Sequence, residues 1–92
     1  MLFRSPVSIA KQFGANLLRA RKRAGISQED TAVRASLHRT EIGLLERGER
    51  LPRIDTTIKL AGALGVLPGD LLQGIVWEPG ETRAGHFQPH GV

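Results

Sequence analysis

Glycine interrupting a helical rhythm is the feature that most restricts what this chain can become. Ile9, Phe13, Leu17 and Ala20 recur at the i, i+4, i+8 and i+11 positions of one helical face, and Gly25 ends that run. This predicts a first helix over about 8–23. Ser27 caps a second helix that runs to about Arg34, opening with Ser27-Gln28-Glu29-Asp30, a near capping box. Ala35-Ser36-Leu37 reads as a turn. A third helix over 39–46 turns Ile42 and Leu45 inward and stops at Gly48, and Pro52 marks a loop. A fourth helix over 54–64 is expected to bury Ile54, Ile58, Leu60, Ala61 and Leu64 before Gly65 closes it. Pro68 suits the first turn of a fifth, over 68–73, carrying Leu71 and Leu72. The fold class is therefore all-α, a compact five-helix domain with a short C-terminal tail. Residues 1–7 form a flexible start, 8–74 the domain and 75–92 the tail. Ile75-Val76-Trp77 has β propensity, but the glycines and prolines beyond it read as mobile chain.

Bulk properties narrow the function classes. The 92 residues suit one small domain, in which dimerisation would add stability. Hydrophobic residues make up 40%, enough for one core. The absence of cysteine removes disulfides and thiolate metal sites and fits a reducing cytosol. The opening Met1–Pro6 is too short and polar for a signal peptide, and no run of ~20 apolar residues exists to cross a bilayer, so a cytoplasmic protein is expected. The net charge of +4 points to an anionic partner, with one basic cluster at Arg19, Arg21, Lys22 and Arg23 and another at Arg47, Arg50 and Arg53. The basic residues do not line a helix face opposite bulky apolar ones, which argues against a membrane surface. Nothing resembles a Ser-His-Asp set, a phosphate loop or a carboxylate pair, so no enzyme is expected. His86 and His90 are four apart, but Pro89 breaks the helix that would align them, and neither a metal nor a cofactor is expected.

Two short helices joined by a tight turn in a basic all-helical domain have the geometry of a helix-turn-helix. A major groove about 12 Å wide admits one helix, and the helix before it points backbone amides at a phosphate. The chain also resembles the phage-repressor and Cro-type, lambda-repressor-like helix-turn-helix family over roughly 14–74. The resemblance rests on Gly25-Ile26-Ser27-Gln28-Glu29-Asp30, on Ile42 with Leu45-Glu46-Arg47-Gly48, on Pro52-Arg53-Ile54-Asp55-Thr56, and on Leu60-Ala61-Gly62-Ala63-Leu64-Gly65-Val66. Three positions depart from the family pattern: Ser36 replaces the turn glycine, Thr31 a core leucine, and His38 the usual Ser or Thr cap. A non-glycine residue with positive φ costs roughly 1 kcal/mol, so the turn is expected to be either strained or slightly different in geometry.

The resemblance implies that Gln28 binds a backbone phosphate or braces a reading side chain. It also implies an Arg21–Glu46 salt bridge between the first and third helices. Arg39, Thr40, Gly43 and Leu44 lie on the outer face of the third helix and are the candidate base-contacting residues. Arg39 suits guanine, Leu44 suits a thymine methyl, and Gly43 either permits close approach or is merely tolerated. Glu41 would accept from a cytosine amino group or pair with Arg39 or Arg34. His38, Arg47, Arg50 and Arg53 are candidate backbone contacts. Leu71, Leu72, Ile75, Val76 and Trp77 are candidate dimer contacts, the alternative being Trp77 folded on the chain's own core. The function expected is a sequence-specific double-stranded DNA-binding transcriptional regulator, acting as a homodimer on a two-fold operator. The alternative is an antitoxin or accessory module that grips a protein partner through the tail, with Trp77 and Phe87 as anchors.

Overall fold

The computed structural model describes residues 8–81 and 84–89; the expected loose start at 1–7 and His90 lie outside them. Helix α1 spans Ile9–Ala24, and the Ser8 hydroxyl accepts from the Lys11 amide at its start. Arg21, Lys22 and Arg23 occupy its last turn, where they complement the negative end of the helix dipole. Helix α2 (Gln28–Ala35) is capped by Ser27, whose Oγ accepts from the Asp30 amide at 3.0 Å. Helices α3 (Arg39–Glu46), α4 (Ile54–Leu64) and α5 (Pro68–Leu71) follow. Asp70 holds the start of α5 by accepting from the Leu67 amide at 2.9 Å.

Phe13, Leu17, Ile42, Leu45, Leu60 and Leu71 are fully buried and form one core with Ala32, Ala35, Ala61 and Leu64. Each large apolar side chain so buried contributes roughly 1.5–3 kcal/mol. Helix α3 packs on α1 and α2, α4 on α2 and α5, and α5 on α1. The α1–α3 crossing is close because residue 14 is glycine. A Cβ there would overlap the Leu45 carbonyl oxygen and lie 2.7 Å from that of Glu46. Buried Asn16 then ties α1 to the end of α5. Its amide donates to the carbonyls of Leu71 at 3.0 Å and Gln73 at 2.8 Å, and its oxygen accepts from Gln12 and Arg19.

Three expectations are corrected here. Ile54 and Ile58 are 79% and 55% exposed, not buried. The inner face of α4 runs through Thr56, Thr57, Leu60, Ala61 and Leu64, and the Thr57 hydroxyl satisfies itself on the Arg53 carbonyl at 3.0 Å. Leu71 is wholly enclosed by its own core and is not available as a dimer contact, while Leu72 beside it is exposed. The tail is not simply mobile. Strand β1 (Ile75–Glu78) pairs antiparallel with β2 (His86–Pro89), setting Ile75 against Pro89, Val76 against Gln88, Trp77 against Phe87 and Glu78 against His86. Trp77 and Phe87 meet edge to face with ring centroids 5.1 Å apart, so Trp77 packs on the hairpin and not in the helical core. Ile75 and Val76 are half-buried, and Ile75 lies against that core. No helix among the described residues is long and apolar enough to cross a membrane.

Candidate nucleic-acid interface

The turn between α2 and α3 uses Ser36 at φ 56° and ψ 46°, the left-handed region where glycine is favoured. The Leu37 amide donates to the Ala32 carbonyl at 2.8 Å, which closes the helix end and aims α3 away from α2. Thr31, where the resemblance implied a core leucine, is fully buried and donates to the Ser27 carbonyl at 2.8 Å.

Glu46 joins the three helices that carry the site. Arg21 donates to it twice, Nε to Oε2 at 2.5 Å and Nη2 to Oε1 at 3.1 Å, and reaches the Ile26 carbonyl with Nη1 at 3.0 Å. The Glu46 side chain is 5% exposed and that of Arg21 13%. The paired carboxylate raises the Arg21 pKa, against the opposing effect of burial. The Gln28 amide donates to Glu46 Oε1 at 2.8 Å. One hydrogen of that amide is thus committed within the protein, leaving its other hydrogen and its carbonyl oxygen.

Ile42 and Leu45 face the core from α3, leaving the opposite side outward. Arg39, Thr40 and His38 are exposed, and Leu44 is half-buried. Arg39 has no ion-pair partner among the described residues. His38 caps α3 by backbone position only, without a side-chain hydrogen bond. Gly43 is buried although it lies on the outward side, because the Arg47 side chain covers it.

The three arginines after α3 each meet a carboxylate. Arg47 Nε donates to Glu49 at 2.8 Å, and Arg50 Nη1 donates to Glu41 at 2.5 Å. Arg53 Nε lies 3.2 Å from Asp55. Glu41 therefore pairs with Arg50, neither with Arg39 nor with Arg34, because the loop beyond Gly48 folds back along the first turn of α3. The hydrogen bond from Arg47 holds the Glu49 carboxyl below its usual pKa and raises that of Arg47. These pairings, and the roles of Gly14 and Asn16, were not expected from the sequence. Alternating Arg and Glu at 47, 49 and 50 was the available signal for the first.

A helix-turn-helix family model matches residues 17–71. The chain is 34% identical over 77 residues to an uncharacterised HTH-type transcriptional regulator, y4dJ, of Sinorhizobium fredii, covering 84% of this chain and all of that one. It is 43% identical over 61 residues to the control protein C.BamHI of Bacillus amyloliquefaciens, covering 65% and 75% of the two chains. Among solved structures it is similar to the restriction-modification controller protein C.AhdI from Aeromonas hydrophila. That match has a TM-score of 0.66 and 37% identity over 67% of this chain and 94% of that one.

Proposed function

The chain belongs to the helix-turn-helix family, and from that premise we propose that it is a cytoplasmic, sequence-specific transcriptional regulator that lays α3 in the major groove of double-stranded DNA. The observation that carries this reading is the Glu46 junction: Arg21 and Gln28 fix α3 against α1 and α2 while Arg39 and Thr40 stay exposed on it. A reading helix works only if its orientation is fixed before it meets the groove, and a buried bidentate arginine–carboxylate pair does that. The relatives are, by name, an HTH-type transcriptional regulator, a control protein and a restriction-modification controller protein, which supports the same reading. Arg39, Thr40 and Leu44 are assigned to base edges. Gln28 and His38 are assigned to phosphates, as are Arg50 and Arg53 once phosphate oxygens compete with their carboxylates.

One eight-residue helix spans few base pairs, so we assign a second copy of the chain as partner. The face we assign to it is the outward side of α4 and α5. Pro52, Ile54, Thr57, Ile58, Pro68 and Leu72 line an apolar depression of about 360 Å³ there. Large exposed apolar residues are expected at interfaces. Asp55 and Lys59 lie one turn apart on α4, so an antiparallel two-fold packing brings each toward its opposite on the partner. Leu51 and Pro52 belong to the loop that leaves α3, which couples this face to the spacing of two reading helices. Of the dimer contacts expected from the sequence, Leu71 is enclosed and Leu72 lies on this face. The hairpin, with Trp77 53% exposed, is the feature that a protein-partner role would use.

Selection of bound duplexes from a random DNA pool tests the proposal. A palindromic site with half-site centres ~34 Å apart is expected. Failure of any sequence to enrich would sink it.

A further inference from the structure

Resting on the DNA-reading assignment, we propose that Arg47 is a specificity-determining residue that reads a base edge, and that Gly43 is the position that lets it do so. Sequence position alone places Arg47 among the phosphate-clasping arginines behind the reading helix. The structure places it elsewhere. Arg47 caps α3 at φ −84° and ψ −1°, so its backbone continues the helical path. It stands four residues after Gly43 and seven after Thr40, which sets all three on the outward side, opposite Ile42 and Leu45. Its side chain does not extend past the end of the helix. It folds back over Gly43, where a Cβ would lie 3.0 Å from Arg47 Nη1.

Two contacts define how the guanidinium lies. Beneath it is the bare backbone of Gly43, the one residue type that leaves this space empty. Behind it, Arg47 Nε donates to Glu49 Oε2 at 2.8 Å. Glu49 reaches that point because Gly48, at φ 71°, reverses the chain, and because the Glu49 amide is held by the Leu44 carbonyl at 2.9 Å. Glu49 is thus a positioning residue for Arg47. The two Nη groups make no hydrogen bond among the described residues. A guanidinium tethered through Nε presents its Nη groups as a fork, the geometry that takes guanine O6 and N7 together. A mid-helix glycine, costly relative to alanine, is then explained by the side chain that lies on it.

The test uses the site enriched by the wild-type chain and competitors carrying each single base change. Gly43→Ala is expected to melt at a higher temperature than the wild type, because alanine is the better helix former. It should nonetheless lose preference at one position of each half-site by about fivefold to a hundredfold, the worth of a bidentate base contact. Arg47→Lys should keep the salt dependence and lose the same preference. In an Arg47→Ala background, Gly43→Ala should change nothing further. The proposal is overturned if Arg47→Lys keeps full discrimination. It is equally overturned if Arg47→Ala weakens all sequences alike while the salt slope falls by about one, which would make Arg47 a phosphate contact. A Gly43→Ala effect that persists without Arg47 would show that Gly43 meets the DNA itself, and would overturn the role given to it here. If the wild type enriches no site, the DNA-reading assignment fails first, and it fails independently of these variants.

Discussion

Ser36 and Glu41 show how single side chains set the character of the site. Ser36 holds φ 56° with a Cβ attached, a conformation that costs roughly 1 kcal/mol and that glycine adopts freely. Ser36→Gly is expected to raise stability by about 0.5–1 kcal/mol in urea denaturation, the relief of strain exceeding the extra freedom gained by the unfolded chain. A lower midpoint would mean that the hydroxyl supplies something the backbone geometry does not reveal. Glu41 is the third residue of α3, where glutamate commonly turns back to cap the helix. Instead it accepts from Arg50, which offsets one positive charge beside the proposed DNA face. Glu41→Gln should therefore strengthen binding to scrambled duplex by about fivefold to tenfold at 0.1 M salt, since Arg50 no longer has to leave a carboxylate to reach a phosphate. Unchanged affinity for scrambled DNA would show that Arg50 reaches no phosphate.

Elements were legible in the sequence where apolar spacing and breakers agreed, and illegible where small or polar residues decided the packing. The five helices follow from the rhythm between Gly25, Gly48 and Gly65, and the α3 limits of Arg39–Glu46 were read directly. The inner face of α4 was misread because isoleucine was assumed to be inside and the threonines were passed over. The structure exposes Ile54 and Ile58 and buries Thr56 and Thr57 in their stead. The hairpin was half visible: Ile75-Val76-Trp77 carried β propensity, but His86-Phe87-Gln88-Pro89 alternates weakly and ends in proline. Gly85 decides the hairpin's shape, since a Cβ there would lie 2.6 Å from Trp77 Cζ2 and 2.5 Å from the Glu78 carbonyl. Gly14 gave no signal in the α1 pattern, yet it sets the separation of α1 and α3. Gly14→Ala is expected to destabilise the fold by about 1–3 kcal/mol, because the obstacle is backbone that cannot rotate away. A change below a few tenths of a kcal/mol in chemical denaturation would show that the crossing relaxes at little cost.

At the level of the whole molecule, the outward apolar side of α4 and α5 and the exposed side of α3 are separate surfaces, and the proposed function needs both. The Leu51–Pro52 loop connects them. Ile54→Asp combined with Ile58→Asp should leave the fold intact, since both residues are exposed, while turning a dimer into a monomer in sedimentation equilibrium. Binding to a full two-fold site should then fall to the level of a half-site. A double variant that remains dimeric would place the interface elsewhere, with the hairpin as the next surface to examine.

The Glu46 junction carries a consequence for how such a protein can change its target. Its partners are Arg21, the Ile26 carbonyl bound through Arg21, and Gln28, and none of Arg39, Thr40, Gly43, Leu44 or Arg47 takes part in it. The scaffold and the message are written on different residues. A library randomised at those five outward positions, with Arg21, Gln28 and Glu46 kept, should yield folded variants with new operator preferences, so regulators of this kind can be rewired to new genes without being rebuilt.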